Sequence, residues 1–152
     1  MMGEKAMYSD LKKIISEAGQ SVNFAPYGEG VSDEWITAAE KRLNTLFPKS
    51  YIWWLKNYKG GEVFGEEIYS VYGMNFDTVV GGDIVYMNEL ERKNDDSFKN
   101  KLVISEFDDF LFYFDLSNGL IEGEYPVKEY FRNIIFAESF EEFLKKRILN
   151  QF

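Results

Sequence analysis

Apolar residues over the first part of the chain recur at helical spacing, and beyond Gly61 that period gives way to denser apolar runs. Met7, Leu11, Ile14, Ile15 and Ala18 share one helical face, and Gly19 is placed to stop the helix. Residues 20–31 carry Pro26, Gly28 and Gly30 and read as a loop. Ser32 is positioned to cap a second helix, with Asp33 and Glu34 in its first turn, where carboxylates meet the positive end of the dipole. Ile36, Ala39, Leu43 and Phe47 form its apolar stripe, while Glu40, Lys41 and Arg42 fall largely on the wet side. Pro48 pushes the preceding residue out of the helical region and suits the first position of a third helix. There Tyr51, Trp54, Leu55 and Tyr58 stand at i, i+3, i+4 and i+7, and Gly60-Gly61 closes the segment.

Residues 63–74 and 83–87 mix aromatic and β-branched residues with glycines, as strands and turns do. Residues 88–101 are charged and polar and are expected as an exposed loop or short helix. Residues 102–107 and 110–115 are the strongest strands, with Asp108-Asp109 as the hairpin turn between them. Both are partly apolar on two faces, which places them near the centre of a sheet. Ser117-Asn118-Gly119 is a second turn, followed by a strand-like run over 120–125. Ser139-Phe140-Glu141-Glu142 is a capping box opening a last helix, with Phe140, Phe143, Leu144 and Ile148 facing inward. Helices, then strands, then a helix predict an α+β fold in a single domain over residues 1–152.

Composition sharpens this in two ways. Aromatic residues make up 18% of the chain, so it is expected to fold despite its charge. No apolar run approaches the roughly 20 residues of a membrane span, residues 1–10 lack the apolar core of a secretory signal, and cysteine is absent. The expected location is therefore the cytoplasm. The charge is the stronger signal. Residues 62–124 hold 15 acids against 4 bases, while the rest of the chain has a small basic excess. Such a field repels nucleic acid and anionic membranes and attracts a basic partner over long range.

The chain has no histidine, which excludes Ser–His–Asp chemistry, and with no cysteine either it lacks the usual donors for zinc. Asp115-Leu116-Ser117-Asn118-Gly119 fails the calcium-loop spacing and reads as a turn. Gly28-Glu29-Gly30 lacks the third glycine and preceding strand of a dinucleotide site. No metal or cofactor is expected. Carboxylate pairs drawn from Glu106, Asp108 and Asp109 are the remaining route to catalysis, and an acidic chain supplies such pairs by chance. Trp54 belongs to the apolar stripe of the third helix, whereas Trp53, about 100° away, stands either at its edge or outside it as an aromatic anchor.

One run is more specific than any of these. Glu34-x-Ile36-x-x-x-Glu40-x-x-Leu43 is followed by Phe47-Pro48-x-x-Tyr51-x-x-Trp54-Leu55-x-x-Tyr58-Lys59-Gly60-Gly61. Together with residues 104–115, Asn118-Gly119 and the Ser139-Phe140-Glu141-Glu142-Phe143-Leu144 ending, it resembles the SUKH superfamily, the domain of the Smi/Knr cell-wall regulators, over about 31–148. Phe47 stands where the family usually has Leu, Lys59 where it has Asn, and Asp108-Asp109 where an Asp-Gly turn is frequent. The resemblance implies helices packed on a twisted, mainly antiparallel sheet and no shared catalytic residues, hence not an enzyme. It is similar in particular to YobK-type immunity proteins of Bacillus, which implies an antitoxin for a polymorphic toxin of the LXG type. The implied partner is a basic nuclease domain whose substrate site is covered. The expected contacts are Glu66, Glu67, Asp77, Asp83, Glu106, Asp108 and Asp109, with Trp53 as anchor. Two alternatives remain: a regulatory interaction module of the cell-wall type, and a carbohydrate or small-ligand protein using aromatic and acidic groups.

Overall fold

Five helices and seven strands are built from residues 7–152, which the computed structural model describes. Residues 1–6, and with them most of the stretch read for a secretory signal, lie outside the described residues. The helices are α1 (Ser9–Glu17), α2 (Asp33–Leu43), α3 (Lys49–Tyr58), α4 (Ile84–Asn94) and α5 (Phe140–Ile148). The strands are β1 (Val22–Phe24), β2 (Gly61–Val63), β3 (Glu66–Ile68), β4 (Lys101–Phe107), β5 (Phe110–Asp115), β6 (Val127–Glu129) and β7 (Ile134–Ala137). They form two antiparallel sheets in the orders β1-β2-β3 and β4-β5-β6-β7, so the fold is α+β as its sequence implies.

The helices end where their caps say they should. The Ser32 hydroxyl accepts from Trp35 N, the Ser139 hydroxyl from Glu142 N, and Asn44 turns left-handed to close α2. Phe47 therefore lies beyond α2, buried, with its N–H donating to Glu40 at 2.7 Å. Pro48 is the cap of α3, one residue earlier than its expected place inside the helix. Tyr51 and Trp54 of α3 meet Phe140 of α5 at ring-centroid distances of 5.1 and 5.3 Å, and Tyr51 meets Phe114 of β5 at 5.6 Å. All four are fully buried, and edge contacts of this kind add about 0.5–1.5 kcal/mol each beyond the area they bury.

Three further local expectations fail, the first for a tertiary reason and the other two through capping and turn geometry. Residues 22–24 are a strand inside the predicted loop, because β2 offers them an edge: Val22 pairs with Val63 and Phe24 with Gly61. Residues 84–87 open α4 and are not a strand. Their β-branched residues are overruled by Asp83, whose carboxylate accepts from Val85 N and Tyr86 N. Residues 120–125 hold a single bridge, Ile121 to Glu124, closed by Glu122 and Gly123 at positive φ.

The junction between the sheets positions everything that follows. A bulge between Val103 and Ser105 takes Ile104 out of register with β5, and its carbonyl accepts instead from Tyr69 N at 2.7 Å. The Ser105 hydroxyl donates to Glu67 O at 2.8 Å. On the same strand, Asn88 of α4, 1% exposed, donates to Val103 O at 2.9 Å and accepts from Val103 N at 2.7 Å. An amide side chain thus replaces a neighbouring strand and docks α4 on β4.

Several charges serve the fold. Glu129, fully buried, accepts from Leu111 N, Phe131 N, Arg132 N and Arg132 Nε. Burial raises its carboxyl and those bonds overturn the effect, leaving it below the usual range. Asp115 is likewise raised by burial but brought down to about 2 by Lys128, at 2.8 Å, and Ser117. Glu124 is pushed up by burial, against its bonds to Ser50. The signs predict a stability profile. As pH falls from 7 towards the ordinary carboxyl range of about 4, Glu124 takes up a proton more readily folded than unfolded, which stabilises the fold. Below about 4 the depressed groups, Asp115 and Glu129, are protonated against their partners and stability falls. Urea midpoints measured from pH 7 to 2.5 should peak between about 4.5 and 5.5; a monotonic fall would contradict this.

Arg147 is the odd charge. It is 2% exposed and lies over the rings of Phe107 and Phe152 at 4.8 and 4.9 Å, while Nε and Nη1 have no hydrogen-bond partner among the described residues. Burial pushes its pKa down, and Glu66 opposes this. Replacing a buried, poorly paired cation by an apolar side chain of similar length relieves desolvation. Arg147→Met should therefore raise the melting temperature, by about 2–6 °C in a chain of this size; a drop in a thermal scan would show that the guanidinium stabilises.

Candidate functional site

The acidic stretch does not form one surface, because its members have different tasks. Asp83 is fully buried, accepting from Tyr72 N as well as from Val85 N and Tyr86 N, so it is a cap and not a contact. Trp53 is 3% exposed, stacked on Tyr8 at 4.7 Å and edge-on to Tyr58 at 5.7 Å, which removes it as a surface anchor. Its side of α3 is covered by Tyr8, the N-cap of α1, which the single-helix pattern did not reveal. Asp77 is exposed but held by Arg42 at 3.0 Å, and the same guanidinium grips Glu89 at 2.8 Å. Its charge is already answered.

The other expected residues remain on the surface. Asp108 and Asp109 form the tip of the β4–β5 hairpin, Asp108 with φ of 48°. Glu66 and Glu67 are neighbours on β3 with opposite orientations, since side chains alternate across a strand. Glu66 stands in register with Val63 and acts on the Arg147 charge, whereas Glu67 stands opposite Glu62 on the other face.

Glu67, Glu106 and Glu91 all act electrostatically on Tyr69. Burial pushes the Tyr69 hydroxyl well above its usual range, and Glu106, Glu91 and Glu67 add to that shift in this order. The Glu91 carboxyl is itself raised by burial and then by Glu106 and Asp95. Among the described residues none of the three carboxylates is in an ion pair. Glu67 Oε2 accepts from the Tyr72 hydroxyl at 2.5 Å, which in turn accepts from Gly82 N at 2.8 Å. Burial first, and this bond second, raise Tyr72 to about 12. Glu91 was hidden in the polar stretch 88–101. Only the docking of Asn88, one turn earlier on α4, aims it at Glu106.

The arrangement is a set of unanswered negative charges around two neutral tyrosine hydroxyls, suited to receive cations. Among the described residues no three carboxylates converge closely enough to hold a metal ion, and no helix is long and apolar enough to cross a membrane. Residues 30–146 match the SMI1/KNR4 family, also termed SUKH-1. The chain belongs to the SMI1/KNR4 family. The match nearly coincides with the 31–148 span carried by the sequence motifs. It includes α2 to β7 and most of α5, and so all three carboxylates around Tyr69 lie inside the SMI1/KNR4 domain.

Proposed function

We propose that this SMI1/KNR4-family chain is an immunity protein that binds a cognate toxin and holds it inactive. The observation that carries the reading is the Glu67–Glu91–Glu106 group, three carboxylates with no basic partner of their own beside Tyr69. Carboxylates without a basic neighbour on one face attract a basic partner and pair with it on binding. A nuclease domain fits this description, since a site that grips phosphates is itself cationic. Covering that site would exclude substrate without any chemistry by the inhibitor, in keeping with an LXG-type toxin as the partner and a cytoplasmic place of action. Glu67 and Glu106 form the contact with Glu91, and Asp108 and Asp109 extend it along the hairpin tip.

Co-expression with a toxic protein encoded by a neighbouring gene tests the function directly. Growth should be restored by the wild-type chain. A regulatory interaction module of the cell-wall type would leave toxicity unchanged, and that result would overturn the immunity reading.

A further inference from the structure

Behind Glu67, where the β1-β2-β3 sheet meets the 70–74 segment, lies a cavity of ≈ 390 Å³. Its volume is at the lower end for ligand sites, large enough for one long side chain and small for a cofactor. Glycine lets the groups around the cavity approach one another closely. A Cβ on Gly60 would lie 2.4 Å from the Ser70 hydroxyl, and one on Gly82 would lie within 2.2–2.4 Å of the Glu67 carboxyl group. Gly60 also has φ of 141°, a conformation other residues rarely adopt. The walls are Val71, the half-exposed Met74 and the Gly60-Gly61 backbone; the polar groups are Glu67, Ser70 and Tyr72.

Two features bear on what this cavity receives. Ser70 is 3% exposed and lines the space; its hydroxyl makes no hydrogen bond within the described residues and is not shut off from solvent, so it is open to a ligand as to water. Glu67, the one carboxylate in the lining, stands opposite Glu62 across β2 and β3, and neither is in an ion pair among the described residues. We infer that the cavity receives the side chain of an arginine from the partner protein, an assignment that rests on the proposed partner being basic. The guanidinium is all donors, and the cavity offers it acceptors: the Glu67 oxygen not used by Tyr72, and the Ser70 hydroxyl. Its methylene stem lies against Val71 and Met74, whose unbranched thioether adapts to the occupant. Lys59 also lines the cavity and repels a guanidinium, so the assignment requires its ammonium to turn to a carboxylate of the partner beside that arginine.

N-acetyl-arginine amide is the probe, titrated into the ¹⁵N-labelled full chain. A ligand of that size in a fitting site should bind with a dissociation constant on the order of 1 mM. Saturable shifts are expected at the amides of Gly60, Gly61, Ser70 and Gly82. The citrulline analogue, which has the shape without the charge, should bind at least about 10-fold more weakly, as should arginine to Glu67→Gln. Ala25→Leu, which fills the cavity and leaves Glu67 in place, should abolish the shifts. No saturation by about 0.1 M probe, equal binding of citrulline, or normal binding to Ala25→Leu would each overturn the assignment. These outcomes are separate from growth rescue. Rescue with no arginine binding leaves the immunity reading intact and removes the pocket; arginine binding without rescue keeps the pocket and removes the toxin.

Discussion

Replacing Glu67, Glu91 and Glu106 together by lysine is expected to slow association with the cognate toxin by about 100-fold at low salt. Glu106, Glu91 and Glu67 all act on Tyr69, and under the proposed function their field would steer a cationic surface to this face before contact. The substitution takes the formal net charge from −9 to −3, so its effect must be separated from that of total charge. Asp10, Glu17 and Glu29 are exposed and lie outside the central acidic stretch, and reversing them produces the same net charge. That control should slow association by no more than about 3-fold. Stopped-flow rates across a salt series decide the matter: the wild-type rate falls steeply with ionic strength, and the triple variant shows a flat response. Equal losses in the two variants would mean that net charge, and not this face, guides the encounter.

Asp83→Ala is expected to lower folding stability by about 3 kcal/mol, the combined loss of a helix cap and of a buried acceptor for further backbone amides. The carboxylate holds Val85 N at 2.9 Å, Tyr86 N at 3.1 Å and Tyr72 N at 3.0 Å, and its residue is fully buried. It ties the start of α4 to the segment carrying Tyr72, so its loss also loosens the support of Glu67. In a chain of this length the melting temperature should drop by roughly 10 °C. Asp83→Asn keeps one acceptor oxygen and should cost about 1 kcal/mol. An unchanged urea midpoint for Asp83→Ala would show that the amides find other partners.

The contrast between Asp83 and Glu67 shows how far local reading goes. Both are acids in the same stretch, and nothing in the neighbouring residues separates a contact from a cap. Ile84, Val85 and Tyr86 favour strands, and the helix that Asp83 caps overrides that preference. Trp53 was ambiguous for a related reason. Its angle on α3 is certain from the sequence, but α1 covers that side through Tyr8. Where the signal is local, sequence and structure agree: Leu11 and Ile15 of α1, Ile36, Ala39 and Leu43 of α2, Tyr51, Trp54, Leu55 and Tyr58 of α3, the β4–β5 hairpin and the Ser139 cap all stand as expected.

The α+β class, the three N-terminal helices, the central hairpin, the family motifs and the acidic excess were all determined by the sequence alone. Each depends on residues a few positions apart, where the 3.6- and 2-residue periods and capping chemistry operate. Tertiary structure alone decided which carboxylates are available. It buried Asp83 and Glu129 against backbone amides, gave Asp77 to Arg42, and brought Glu91 beside Glu106 by docking Asn88 on a bulged strand. Desolvation and pairing are set by neighbours distant in sequence, so a count of charges measures the field but not the surface that carries it.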